Sequence, residues 1–155
     1  NKETLYLAVL EATYARIRAA ERALNLESLA PDAAIARLVE FTWSYFLEHP
    51  EFLIMLNQEN LYQAQHLKKS PNVRPLHSPF VEMIGEVLGR GVAAGAFRAG
   101  IDPVQLYISI AGLAYFYVSN RWTLSVIFDR DLFEPQARAD RLAHMTDLVL
   151  AALRA

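Results

Sequence analysis

The stretch PVQLYISIAGLAYFYVSNRWTLSVIF, residues 103–128, has Arg121 as its only charged residue. A helix drawn through it is apolar on every side, and such a helix must be buried on every side. Its start is written in the preceding residues. Asp102 is placed to cap, Pro103 suits the first turn, and Gln105 completes a capping box. A membrane span would need ~20 apolar residues, but Gln105, Ser109, Ser119, Asn120 and Ser125 dilute this run. The other solution is one helix with two buried faces. With about 3.6 residues per turn, Leu106, Leu113, Phe116, Tyr117, Asn120 and Leu124 share one side, expected to be core. Ala111, Ala114, Val118, Trp122 and Ser125 share the other, where small residues permit close helix approach. That second side is expected to meet a second copy of the chain, with Leu142, Met145, Val149 and Ala152 of the last helix beside it. Two such helix pairs would form an intersubunit four-helix bundle about a twofold axis. A central helix in a monomeric core satisfies the same pattern, so the residues alone leave both arrangements open.

The flanking sequence is helical too. Period-two alternation is absent over any useful length, and the spacing predicts six helices in an all-α fold, one domain over residues 1–155. Asn1 caps the first, whose stripe runs Tyr6, Leu10, Thr13, Ile17 and Leu24. Pro31 opens the second, with Ile35, Leu38, Val39, Thr42 and Phe46 on one face. Pro50 ends it and opens the third, with Leu53, Leu56, Asn60, Ala64 and Leu67 in line. Ser70 to Pro79 holds three prolines and is expected to be a loop. Ser78-Pro79 then starts a fourth helix bearing Phe80, Met83, Ile84, Val87 and Leu88, weakened by the glycines from Gly89 onward. The fifth is the stretch above, taken as one helix to Phe128, and the sixth follows Pro135.

Composition narrows the function. Apolar residues make up 54%, enough for a generous core or a covered apolar face. There is no Cys, which excludes disulfide frameworks, Cys-based zinc sites and thiol catalysis, and which fits a reducing cytoplasm. No basic segment followed by an apolar one opens the chain, so no signal peptide is visible. The net charge of −2 argues against this stretch binding DNA by itself. The four His are scattered, and no metal site or other cofactor is expected. No Glu has a His three residues later, as a di-iron bundle requires. No nucleophile elbow, phosphate-binding Gly loop or H-E-x-x-H occurs, so no enzyme is expected.

Several segments together resemble a known family. NKETLYLAVLEATYARIR (residues 1–18) is similar to the junction in TetR-family transcriptional repressors, where a helix-turn-helix domain runs into the first helix of the ligand domain. HPEFLIMLNQENL, QHLKKSP, LHSPF and RGVAAGAFRAGIDPVQLYISIAGLAYFYVSNRWTLS resemble one C-terminal subclass of that family, with G-x-F-x-x-G-x-D-P-x-x-L as signature. The resemblance implies a cytoplasmic homodimer joined through its last two long helices, with no membrane association. It also implies a cavity for a small-molecule effector among the first five helices, and a DNA-binding domain before Asn1 through which operator DNA would be bound. No residue of this chain is expected to read bases.

Polar residues on apolar stripes are the candidates for effector contact, since an unpaired buried amide costs about 1–3 kcal/mol. Asn60, flanked by Asn57 and Gln63, and Asn120, beside Arg121, are the candidate polar groups; the plainer reading has Asn60 and Asn120 bond each other or nearby carbonyls and fix helix packing. Trp43, Phe46, Met55, Met83, Val87, Phe116 and Tyr117 are candidate walls, each taken singly reading first as plain core. Arg121 is expected to pair with a carboxylate such as Glu59 or to sit at the edge of the dimer contact, with an anionic ligand as a further alternative. Without a cavity, the same chain reads as a dimerisation scaffold that binds no ligand.

Overall fold

The computed structural model describes residues 1–155 apart from the side chains of Arg74 and Leu76. Among the described residues it is all-α: seven α-helices and two short 3-10 turns, with no strand. Helix α1 spans Lys2–Arg22 and begins as the sequence predicts, with the Asn1 side chain accepting from the Thr4 N–H at 2.9 Å. A 3-10 turn (Leu26–Ser28) leads into α2 (Pro31–Glu48), then α3 (Pro50–Leu61), each with proline in its first turn. Helix α2 is the central strut. It packs on α4 (Val73–Ala93), α5 (Pro103–Ser119) and α7 (Pro135–Leu153). Its Ala34, Ile35, Leu38, Trp43 and Phe46 are buried to within a few per cent. No helix among the described residues is long and apolar enough to cross a membrane.

Three expected boundaries move. The third helix stops at Leu61 and does not continue through Ala64 and Leu67. Gln63 and Ala64 take left-handed φ values of 54° and 57°, which ends the helix. The chain folds back because the buried Glu59 carboxylate accepts from the Leu67 N–H (3.1 Å) and meets His66 Nδ1 (2.7 Å). Burial pushes that carboxyl up, but these bonds outweigh it and hold it below the ordinary range. The turn Leu67–Lys69 follows.

The expected loop over Ser70–Pro79 is mostly helix. Helix α4 starts at Val73, whose N–H is capped by Ser70 Oγ at 3.3 Å, and it runs through Pro79. Proline there removes one N–H from the ladder, while His77 Nδ1 bonds the Val73 carbonyl at 3.0 Å. The apolar face assigned to this helix is correct: Phe80, Ile84, Val87 and Leu88 are buried.

The apolar stretch of residues 103–128 is two helices. Asn120 leaves helical geometry (φ −106°, ψ 10°), and its side-chain amide donates to the Phe116 carbonyl at 2.9 Å. An Asn that bonds backbone in this way competes with the helix ladder. Beyond it, α6 (Arg121–Phe128) begins afresh and ends at Asp129, in the left-handed region at φ 50°. Asp102 caps α5 as predicted, accepting from the Val104 N–H at 2.8 Å.

The turn between α4 and α5 explains the glycine signature. Gly95 and Gly100 sit at φ 69° and 81°, where a side chain would be strained. Between them Phe97 turns inward, 4% exposed, and the Arg98 N–H donates to the Leu153 carbonyl at 2.8 Å. The end of α7 is thereby tied to the start of α5.

Candidate functional site

A cavity of about 610 Å³ opens between α3 and α5, with α1, α2 and α4 behind it. Its walls are aromatic: Tyr14, Phe46, Phe52, Tyr107 and Tyr115, with Leu56, Ile108 and Ala111 between them. Helix periodicity places them, since Tyr107, Ala111 and Tyr115 recur at intervals of four along α5 and share one face. Three polar groups converge on the same space: Asn57, Asn60 and His77. The Tyr115 hydroxyl donates to Asn57 Oδ1 and so fixes the amide. Asn60 donates to the Leu56 carbonyl (2.8 Å) and lies exposed at the rim. Burial pushes the His77 imidazole below its ordinary value, so the ring against Tyr14 (5.5 Å) is neutral at pH 7. Burial also pushes the Tyr14 phenol up, keeping it a donor. Such a space offers aromatic faces for stacking and a few hydrogen-bonding groups.

Directly behind Tyr107 lies a charged pair that the sequence reading passed over. Arg18 and Glu21 are 1% and 2% exposed and meet at 2.8 Å. The contact lacks hydrogen-bond alignment, for Arg18 Nε and Nη1 and Glu21 Oε2 all lack an aligned partner. The guanidinium lies 4.4 Å from the Phe80 ring centroid and donates through Nη2 to the Tyr107 hydroxyl at 3.3 Å. Burial pushes the Glu21 carboxyl up to about 8, against the pull of Arg18 and Arg22. A signal existed in the sequence, because Arg18 and Glu21 fall on the same helical stripe as Leu10, Tyr14 and Ile17.

The sequence candidates for effector contact scatter. Phe46 and Asn60 line the cavity. Trp43 and Val87 are core, Trp43 packing edge-on against Tyr117 at 5.3 Å. Met55 and Met83 are half-buried outside the cavity walls, Met55 accepting from the Thr13 hydroxyl at 3.6 Å. Gln63 is exposed on its left-handed turn. The Tyr117 hydroxyl donates to the Leu132 carbonyl at 2.9 Å, and Asn120 is spent on the α5–α6 break. Arg121 does not reach Glu59. It lies over Phe133 and Trp122, at 4.3 and 5.1 Å from their centroids.

A second concavity, about 820 Å³, runs between α5 and α7 on the outer face. Ile108, Phe116 and Leu148 line it while 54%, 58% and 47% exposed. The expected two-sidedness of α5 exists, but its sides are assigned differently. Ala114 and Val118, together with Met145 of α7, are buried in this chain's own core, and Val149 lies at the groove's floor, 4% exposed. Phe116, expected in the core, faces outward. The reason is the line Leu106, Ile110, Ala114, Val118, whose small Ala lets α5 sit close on α2. Ala111 is half-buried at the cavity, Leu142 is half-buried against the core, and Ala152 is exposed in the groove. Trp122 is 72% exposed and stacks on Phe133, and Ser125 Oγ accepts from the Leu132 N–H at 3.3 Å.

Comparison with known proteins agrees with this architecture. Residues 31–149 match the family described as tetracyclin repressor-like, C-terminal domain. Over 154 residues the chain is 43% identical to the HTH-type transcriptional repressor NicS of Pseudomonas putida, which covers 99% of this chain and 73% of the relative. The chain belongs to the TetR family. It is a C-terminal regulatory domain of that family of transcriptional repressors, not an enzyme. The junction motif at residues 1–18 is spent in this TetR-family domain on α1, which carries Tyr14 to the cavity and Arg18 behind it.

Proposed function

We propose that residues 1–155 form the effector-binding and dimerisation domain of a ligand-responsive transcriptional repressor acting in the cytoplasm. A small planar molecule with a hydrogen-bonding edge enters the α3–α5 cavity. Operator DNA is held by a helix-turn-helix domain ahead of α1, so any tilt of α1 reaches that domain. The observation that carries this reading is the convergence of Asn57, Tyr115 and His77 on one aromatic-walled cavity. An effector shifts the DNA-binding equilibrium only by its difference in affinity for the two states.

The test is a thermal-shift screen of single-ring and fused-ring aromatic compounds. A true effector at 100 times its Kd adds about 2.7 kcal/mol, which for a chain of this size raises Tm by about 5–10 °C. The same compound is expected to change operator affinity of the protein bearing its DNA-binding domain. Asn57→Ala should weaken the hit about 5-fold or more, through the lost hydrogen bond, and lower the unliganded Tm by about 1–6 °C through the lost Tyr115 bond. A library without any hit that changes operator affinity would leave the scaffold reading in its place.

The groove supports the dimer. Ile108, Phe116 and Leu148 line one concavity while about half exposed, an apolar surface that a second copy would cover. Seating a second copy there buries α5 and α7 of both chains in a four-helix contact. Phe116→Glu places a charge at its centre and is expected to raise the dimer Kd about 30-fold or more. Sedimentation velocity checks this: the parent at twice the 17.5 kDa chain mass, the variant at the chain mass. A parent that sediments at the chain mass at every concentration removes the dimer.

A further inference from the structure

The cavity and the groove share a wall. Ile108 and Gly112 line both. Both are exposed, and a Cβ built on Gly112 meets nothing within 4 Å. One ridge of α5 is therefore the rim of the effector cavity and the edge of the groove at once. A partner that fills the groove as far as this ridge reaches the rim of the cavity.

We infer that a second copy of this chain, seated on the α5–α7 groove, closes the effector cavity along the Ile108–Gly112 ridge, so that the site is complete only in the dimer. The inference rests on the dimer reading above. The groove itself points to a second copy as occupant. Its lining is mainly apolar and also carries charge of both signs, Arg98 and Arg141 with Asp102. A twofold axis sets a surface against itself, so a patch holding both signs can complement its own copy. Gly112 leaves room for a helix to come close to the ridge.

The consequence is linkage. A ligand in a cavity closed by the partner binds the dimer more tightly than the monomer, and by reciprocity it tightens the dimer by the same factor, typically about 5–150-fold. Effector occupancy and subunit pairing then act as one variable.

The test uses the absence of Cys in this chain. Ala111→Cys places a single thiol on the cavity wall, outside the groove residues. Its reaction with 5,5′-dithiobis(2-nitrobenzoate) depends on access. In the dimer the rate is expected to be about 10-fold or more below that of the same variant carrying Leu148→Glu, which breaks the groove contact without touching the cavity. Dilution below the dimer Kd supplies the monomer a second way, and Leu56→Cys on the opposite wall repeats the measurement should Ala111→Cys disturb packing. A dimer whose thiol reacts as fast as the monomer's overturns this inference and leaves the dimer standing. A chain that never dimerises overturns both.

Discussion

Arg18→Met is expected to cost about 3–5 kcal/mol at pH 9, the loss that follows when one partner of a buried ion pair is removed and the other stays. Glu21 is 2% exposed, and without Arg18, which itself lies over Phe80 and Tyr107, its carboxylate would be left in the core without its nearest counter-charge. The cost should shrink below pH 8, since burial raises the Glu21 carboxyl to about 8 and protonation relieves the orphaned charge. The same shift sets the sign for the parent chain. A carboxyl raised above its unfolded value of 4.5 binds more protons folded than unfolded across that window. It therefore contributes stability that is complete below about pH 4.5 and is lost as the pH climbs through about 8. Glu21→Gln should flatten that slope. Urea denaturation of the parent, Arg18→Met, Glu21→Gln and the double variant Arg18→Met/Glu21→Leu at pH 6 and pH 9 checks all of this. The double variant should recover most of the loss, because a well-packed apolar pair often replaces a buried ion pair without penalty. If Arg18→Met costs the same at both pH values, the carboxyl is not raised.

Gly91→Val is expected to be nearly as damaging. A Cβ at Gly91 would lie 2.0 Å from Phe97 Cδ2, far inside any real contact. The Phe97 ring cannot move aside cheaply. It is 4% exposed, its N–H bonds the Gly91 carbonyl at 3.1 Å, and its backbone bridges to Arg154. Overpacking of this kind costs about 1–3 kcal/mol, and a branched side chain belongs at the upper end. That lowers Tm by about 6–12 °C for a chain of this size. The control lies two residues away. Gly89 has open space where its Cβ would go, so Gly89→Ala in the interior of α4 should stabilise by about 0.5–1 kcal/mol. Differential scanning calorimetry separates the two. Equal effects would mean that Phe97 has room to yield. The change also bears on function, because the Phe97 turn sets where α5 begins and α5 carries one wall of the cavity and one of the groove.

Much of the architecture is legible at particular residues. Asn1, Pro31, Pro50, Asp102-Pro103 and Pro135 each begin a helix, because their caps and fixed φ act locally. The boundaries that moved depend on distant partners. Helix α3 ends early because Glu59 captures His66 and Leu67, and no window of sequence holds that bond. Helix α4 starts early because Ser70 and His77 supply bonds around Val73 that a count of prolines does not foresee. The cavity was legible only in part. Phe46 and Asn60 stand on stripes, with Asn57 beside Asn60, and are legible there, while Tyr14, His77, Tyr107 and Tyr115 meet from three helices and are not.

By itself the sequence determined an all-α chain of TetR type whose helix starts are set by short-range caps and prolines, and whose α5 is apolar enough to need cover on two sides. Only the tertiary structure decided which side is which. Hydrophobic burial is non-directional, so Ala114 and Phe116 are equally content in a core as far as sequence goes. The choice fell to shape, the small Ala114 letting α5 settle on α2 and leaving Phe116 in the groove. Likewise Arg18 and Glu21 look like any solvated i, i+3 pair until α4 and α5 close over them and turn a surface contact into a buried one.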